Sequence, residues 1–208
     1  MVHEKPNIYH FLQRYFSDRS GLGMKAVLIL DTSAIIELET ASRKQYGVNQ
    51  AHEFLDTLHR TAPEGVEFIV SEGVKKEVKY HAKCHIGCKP EISPLTSNRI
   101  LEVPEDKNLL HFMVDKKERI DAARYLLRLL YHSKMGGKKK DTDPISRNDW
   151  QIIDTAIAAG IYSEAQFERN KLINPTRPFD DCYRAAILSG DKHIYWTIAK
   201  SAEEPEGI

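Results

Sequence analysis

Two apolar runs that each stop at an aspartate, with strands and helices alternating between them, predict an α/β protein built on a parallel sheet. Val27-Leu28-Ile29-Leu30 ends at Asp31-Thr32-Ser33, and Ala185-Ala186-Ile187-Leu188 ends at Ser189-Gly190-Asp191. Short apolar runs without polar alternation mark strands buried on both faces. Val66 to Val70 reads as a third such strand, followed by a helical pattern with no hairpin signal. The resulting βαβα order argues for a doubly wound sheet, in which ligands bind just beyond the carboxyl ends of the strands.

The elements follow in order. Residues 1–25 read as an extension, with Ile8, Phe11, Leu12, Tyr15 and Phe16 at helical spacing and a break at Ser20-Gly21-Leu22-Gly23. A domain over residues 26–200 follows, and residues 201–208 form an acidic tail. Ala51 to Arg60 is a helix with Phe54, Leu55 and Leu58 on one face, and a further helix starts near Ser71. Its continuation carries His81, Cys84, His85 and Cys88, open to two readings: a zinc site without the common knuckle spacing, or a partly buried structural cluster. The region of about 89–145 reads as a helical insertion: a proline-rich loop from Lys89 to Asn98, a strand from Arg99 to Val103, a helix from Leu109, and a long helix from Lys117 to His132. In the last, Ile120, Ala123, Leu126, Leu127, Leu130 and Tyr131 form the apolar side. Lys138-Lys139-Lys140 makes a basic loop, either solvated surface or, beside an acidic site, a phosphate contact. After a helix opened by Ser146-Arg147-Asn148-Asp149, residues of about 161–182 read as a second insertion, interrupted by Pro175 and Pro178.

Bulk properties narrow the function classes. The chain has 208 residues, with 30 basic and 30 acidic side chains, so no global positive field advertises nucleic acid and any such contact is local. No run approaches the roughly 20 apolar residues of a membrane span, and the N-terminus lacks a signal peptide's apolar stretch. Three cysteines do not make a disulfide framework. A cytoplasmic protein is expected.

Four carboxylates, Asp31, Glu77, Asp149 and Asp191, are each placed by local pattern at the same sheet edge. For Asp31 and Asp149 helix capping competes as an explanation, since Ser146-x-x-Asp149 has the form of a capping box. Packed together the four acids would repel strongly, which predicts a bound cation. Oxygen donors favour magnesium or manganese over zinc, and the chemistry implied is phosphodiester hydrolysis. Other α/β enzymes fail on named residues: a haloacid-dehalogenase phosphatase needs an aspartate where Ser33 stands. No Gly-x-x-x-x-Gly-Lys, Gly-x-Gly-x-x-Gly, Gly-x-Ser-x-Gly or His-Glu-x-x-His motif is present.

Leu30-Asp31-Thr32-Ser33-Ala34, Ser71-Glu72-Gly73-Val74-Lys75-Lys76-Glu77-Val78, Asp149-Trp150-Gln151-Ile152-Ile153-Asp154-Thr155-Ala156 and Leu188-Ser189-Gly190-Asp191 together resemble, in order, the four acidic motifs of PIN-domain ribonucleases. The resemblance implies a three-layer α/β/α fold with a central parallel sheet and a magnesium- or manganese-dependent endoribonuclease. Asp31, Glu77, Asp149 and Asp191 would be its catalytic metal ligands, with Ser33 and Ser189 as supporting hydroxyls. RNA is the partner implied, with a homo-oligomer as a further candidate. The long insertions weigh against a small toxin nuclease with an antitoxin partner. Lys117-Glu118-Arg119-Ile120-Asp121 and the Ser-x-Asp ending resemble protein-only ribonuclease P, whose third motif aligns less well. A PIN-like scaffold that binds RNA or protein without cutting is the alternative of a different class. Asp154 also begins a pattern fitting the third motif. At roughly 100° per residue, Asp149 lies within about 30° of the stripe of Ile152, Ile153, Ala156, Ile157 and Gly160, and Asp154 about 120° from it. Helix geometry therefore favours Asp149.

Overall fold

Leucine, valine and isoleucine fill the centre of this protein because its first strand has no face turned to water: Val27, Leu28, Ile29 and Leu30 are all buried. The computed structural model describes residues 23–47, 51–61, 66–83, 89–134 and 145–202. In chain order the described elements are β1 (Lys25–Leu30), α1 (Thr32–Tyr46), α2 (Ala51–Thr61), β2 (Glu67–Ile69), α3 (Glu72–His81), α4 (Pro94–Leu101), α5 (Lys107–Asp115), α6 (Lys117–Lys134), α7 (Arg147–Ile173), β3 (Tyr183–Leu188) and α8 (Lys192–Ala202). The sheet has the order β2-β1-β3 and both pairings are parallel. This is an α/β fold of mostly helices around a small parallel sheet, an arrangement compatible with three layers.

Register positions the strand ends. Ile29 pairs with Ile69, and Leu30 pairs with Leu188, so the chain leaves all three strands at one edge. Alternation along β1 divides its side chains between two faces. Val27 joins Leu109, Ile120, Ala158, Ala159 and Tyr183 in one apolar cluster, whereas Leu28 and Leu30 belong to a larger one with Ile35, Leu55, Val74, Ile152 and Ile194. Helix α7 packs on β3 and β1, and α5 and α6 pack on α7. Tyr183 anchors α5 to the sheet by donating its hydroxyl to Asp106, the α5 N-cap, at 2.6 Å.

Several local expectations are corrected. Arg99 to Val103 is no strand, and the loop expected from Lys89 to Asn98 ends at Ser93. Pro94 occupies the first turn of α4, and the Ser93 hydroxyl accepts from the Thr96 N–H at 3.2 Å, a combination that starts helices. Ile100 and Val103, three residues apart, are both buried, the spacing of a helical turn and its exit. The helix opened by Ser146 runs longer than expected, because α7 continues past Gly160 to Ile173, through most of the stretch read as an insertion. One mid-helix glycine costs only about 1 kcal/mol. Ser163 accepts from the Tyr183 N–H at 2.8 Å, and Asn170 Nδ2 donates to Asp180 O at 2.6 Å, so the added turns are bound to the chain returning into β3.

Helix α3 stops at His81 with Ala82 as its C-cap, so it does not carry the His–Cys cluster forward. Residues 84–88 lie outside the described residues, as do residues 1–22 of the extension, Lys138, Lys139 and Lys140, and residues 203–208 of the tail. Along α6, Ile120 and Tyr131 are buried and Ala123 and Leu127 partly so, but Leu126 and Leu130 are exposed. Its apolar stripe is therefore narrower than its pattern predicts. Only one side meets α7 and α8.

Candidate functional site

Asp31 is the residue at which β1 becomes α1. Its N–H continues the sheet ladder to Leu188 O at 3.0 Å, which sets it beside Ser189. It occupies the N-cap of α1 with extended backbone angles, yet its side chain makes no capping bond. Capping therefore does not account for the carboxylate. The side chain is 5% exposed, and its Oδ2 accepts from Ser189 Oγ at 2.6 Å and from the Ser33 hydroxyl. Ser33 Oγ in turn accepts from the Gly190 N–H at 2.9 Å, and Ser189 Oγ from the Asp191 N–H at 2.9 Å. Asp191 Oδ1 accepts from the His193 N–H at 2.6 Å, in the first turn of α8. Two serines, one at each strand end, thus hold Asp31 and Asp191 on one connected hydrogen-bond network.

Asp149 reaches the same neighbourhood from α7. It completes a capping box with Ser146: its N–H donates to Ser146 Oγ at 3.2 Å, and its Oδ2 accepts from the Ser146 N–H at 3.0 Å. Those bonds favour the carboxylate form. Burial outweighs them and pushes the carboxyl above its usual range, and the charges of Asp191 and Asp31 push the same way. Acids from three elements are therefore within electrostatic reach of one another.

Glu77 and Asp154 stand differently. Glu77 Oε2 accepts from Thr32 Oγ1 at 2.8 Å and Oε1 from Asn148 Nδ2. These donors are the residue after Asp31 and the residue before Asp149, so Glu77 ties together the first turns of α1 and α7. Gly73 leaves room for the Asn148 side chain between α3 and α7, since a Cβ there would lie 2.6 Å from Asn148 Oδ1. Asp154 is 6% exposed but faces α6, where Arg124 grips both its oxygens, with Nε to Oδ1 at 2.7 Å. The Arg124 guanidinium also lies over the Trp150 ring, 5.9 Å from its centroid.

The chemistry of the donor set, carboxylates and hydroxyls, is that of a site for a hard cation. As these side chains stand, however, no group of three or more His, Cys, Asp or Glu among the described residues is placed to hold a metal ion. Comparisons with protein-family models, curated proteins and solved structures find no match for this chain.

Local pattern missed three participants. Thr32 and Asn148 are neighbours of the acids and carry no signal beyond that adjacency. Glu37 lies against Gly190, where an added Cβ would come 2.5 Å from its carboxyl carbon. Its position four residues after Ser33 on α1 was a readable sign that it shares the face of that serine. Nothing local announces Arg124 as the partner of Asp154, since 30 residues separate them.

Proposed function

We propose that this edge hydrolyses RNA phosphodiester bonds in a magnesium- or manganese-dependent reaction, with the chain folded as a PIN-like endonuclease domain over about residues 26–200. The observation that supports it best is the hydrogen-bonded strand-end edge in which Ser33 and Ser189 hold the buried Asp31 and Ser189 also accepts from the Asp191 N–H, with Asp149 nearby, its carboxyl pushed up by burial first and then by the charges of Asp191 and Asp31. Mutual repulsion among carboxylates at a strand-end edge is relieved by a cation, and such an arrangement is otherwise costly to keep. Asp31, Asp149 and Asp191 would hold the ion, which supplies neutralisation of charge on the phosphate and a more acidic bound water.

The chain's own residues prepare that edge. Ser33 and Ser189 hold Asp31 in one orientation. Glu77, assigned with the other three acids as a ligand by the family resemblance, bridges Thr32 and Asn148 in the free protein and keeps the first turns of α1 and α7 in register. Helices α1, α7 and α8 all begin at or beside these acids, so their positive ends favour a phosphate there.

The test is cleavage of a labelled RNA by the full chain with Mg2+, with Mn2+ and with excess chelator. Cleavage that needs the cation, leaves 5′-phosphate and 3′-hydroxyl ends and disappears in Asp31→Asn supports the reading. Equal cleavage in chelator, or cyclic 2′,3′-phosphate ends, overturns it. The non-cutting scaffold is favoured by the hydroxyl and amide donors that already occupy Asp31 and Glu77. Under that reading RNA binds and stays whole in every buffer.

A further inference from the structure

A cleft of about 410 Å3 lies between α3 and the start of α7, sharing Glu77 and Asn148 with the acid edge. That volume is within the roughly 300–1,000 Å3 of ligand sites. Besides Glu72, its distinctive lining is Lys76, Tyr80, Arg147 and Gln151 around Gly73. Lys76 and Tyr80 are four residues apart and so lie on one side of α3. The Tyr80 ring is 59% exposed and meets His81 edge-on at a centroid distance of 5.4 Å. An exposed aromatic beside two cations is the composition that stacks an unpaired base and holds its phosphate. Gln151 also lines the cleft, and its side-chain amide carries both a donor and an acceptor for a base edge.

We infer that this cleft takes one unstacked nucleotide of single-stranded RNA beside the bond that is cut. The base stacks on Tyr80, Lys76 and Arg147 contact the adjoining phosphate, and the Gln151 amide meets the base edge. Gly73 leaves the room in which Asn148 and Gln151 approach α3, since a Cβ there would lie 2.6 Å from Asn148 Oδ1 and 3.0 Å from Gln151 Oε1. The inference rests on the nuclease reading and specifies its substrate as single-stranded at this position.

The experiment measures binding of a labelled single-stranded decamer RNA by the full chain in chelator, across a salt series, with cleavage followed separately in Mg2+. Tyr80→Ala should weaken binding about 5- to 100-fold, and Tyr80→Phe should stay near wild type, because stacking needs the ring and not the hydroxyl. Lys76→Ala with Arg147→Ala should lower the salt slope by about 0.7, the value for one phosphate neutralised on a single strand. A blunt RNA duplex should be indifferent to Tyr80→Ala. If Tyr80→Ala does not fold, Tyr80→Leu removes the ring while keeping apolar bulk. Unchanged affinity in these folded variants, with RNA still cut by the wild type, overturns the cleft and leaves the nuclease reading standing. A wild type that neither binds nor cuts RNA overturns both.

Discussion

Asp149 closes a capping box with Ser146 and also stands in the repulsive field of Asp31 and Asp191, so its two roles make separable predictions. If it serves the acid edge, Asp149→Asn abolishes metal-dependent cleavage in a folded protein. If it serves only the helix, the variant loses on the order of 1 kcal/mol of stability and keeps its activity. Asp154→Asn should do the reverse: it breaks the two-pronged contact with Arg124, costing on the order of 1–2 kcal/mol because the guanidinium is partly hydrated, and it leaves most activity in the folded fraction. Melting curves and cleavage assays on both variants decide. An inactive, well-folded Asp154→Asn beside an active Asp149→Asn would reverse the assignment. The raised carboxyl of Asp149 adds a pH signature. Its folded pKa lies above the unfolded value of about 4, so its contribution to stability is fully present below about pH 4 and is lost as pH rises through the raised value. Asp149→Asn removes that loss. The melting temperature of the variant relative to wild type should therefore improve as pH rises from about 4 through the raised value.

Among elements, the decisive contact is between the first turns of α3 and α7. Gly73→Ala would put a methyl group 2.6 Å from Asn148 Oδ1, and relief requires the Asn148 side chain to swing away from Glu77. The expected cost is about 1–2 kcal/mol in urea denaturation, with reduced cleavage as α1 and α7 lose their common tie. Unchanged stability and turnover would show that Glu77 does not need Asn148. Element identity was legible wherever a period was sustained or a cap present: β1, α2, α6 and the start of α7 carry their own signals. It failed at Arg99 to Val103, because five residues of mixed pattern do not separate strand from helix, and the Ser93 cap is reinforced by a distant partner. Glu39, fully buried on α1, accepts from the Ser93 hydroxyl at 2.8 Å.

For the whole molecule, equal numbers of acidic and basic residues mean that the RNA binding proposed above rests on local patches. Lys138, Lys139 and Lys140 are the densest such run. Their joint replacement by alanine should weaken RNA binding and reduce its salt dependence, measured as the slope of log affinity against log salt. An unaltered slope would return them to solvated surface. Among the described residues no helix is long and apolar enough to cross a membrane. The sequence by itself determined the parallel α/β class and the delivery of Asp31 and Asp191 to strand ends. Apolar runs and their abrupt polar stops are local, and β1, buried over Val27–Leu30, leaves its first polar residue at the edge, as does β3 although Arg184 to Ile187 are only partly buried. The tertiary structure alone decided which acids feel one another. Asp154 is turned to Arg124 on α6, Glu77 is shared between α1 and α7, and Asp149 meets the field of the strand-end aspartates. Those pairings depend on how helices distant in sequence pack across the sheet, and no local period encodes the partner.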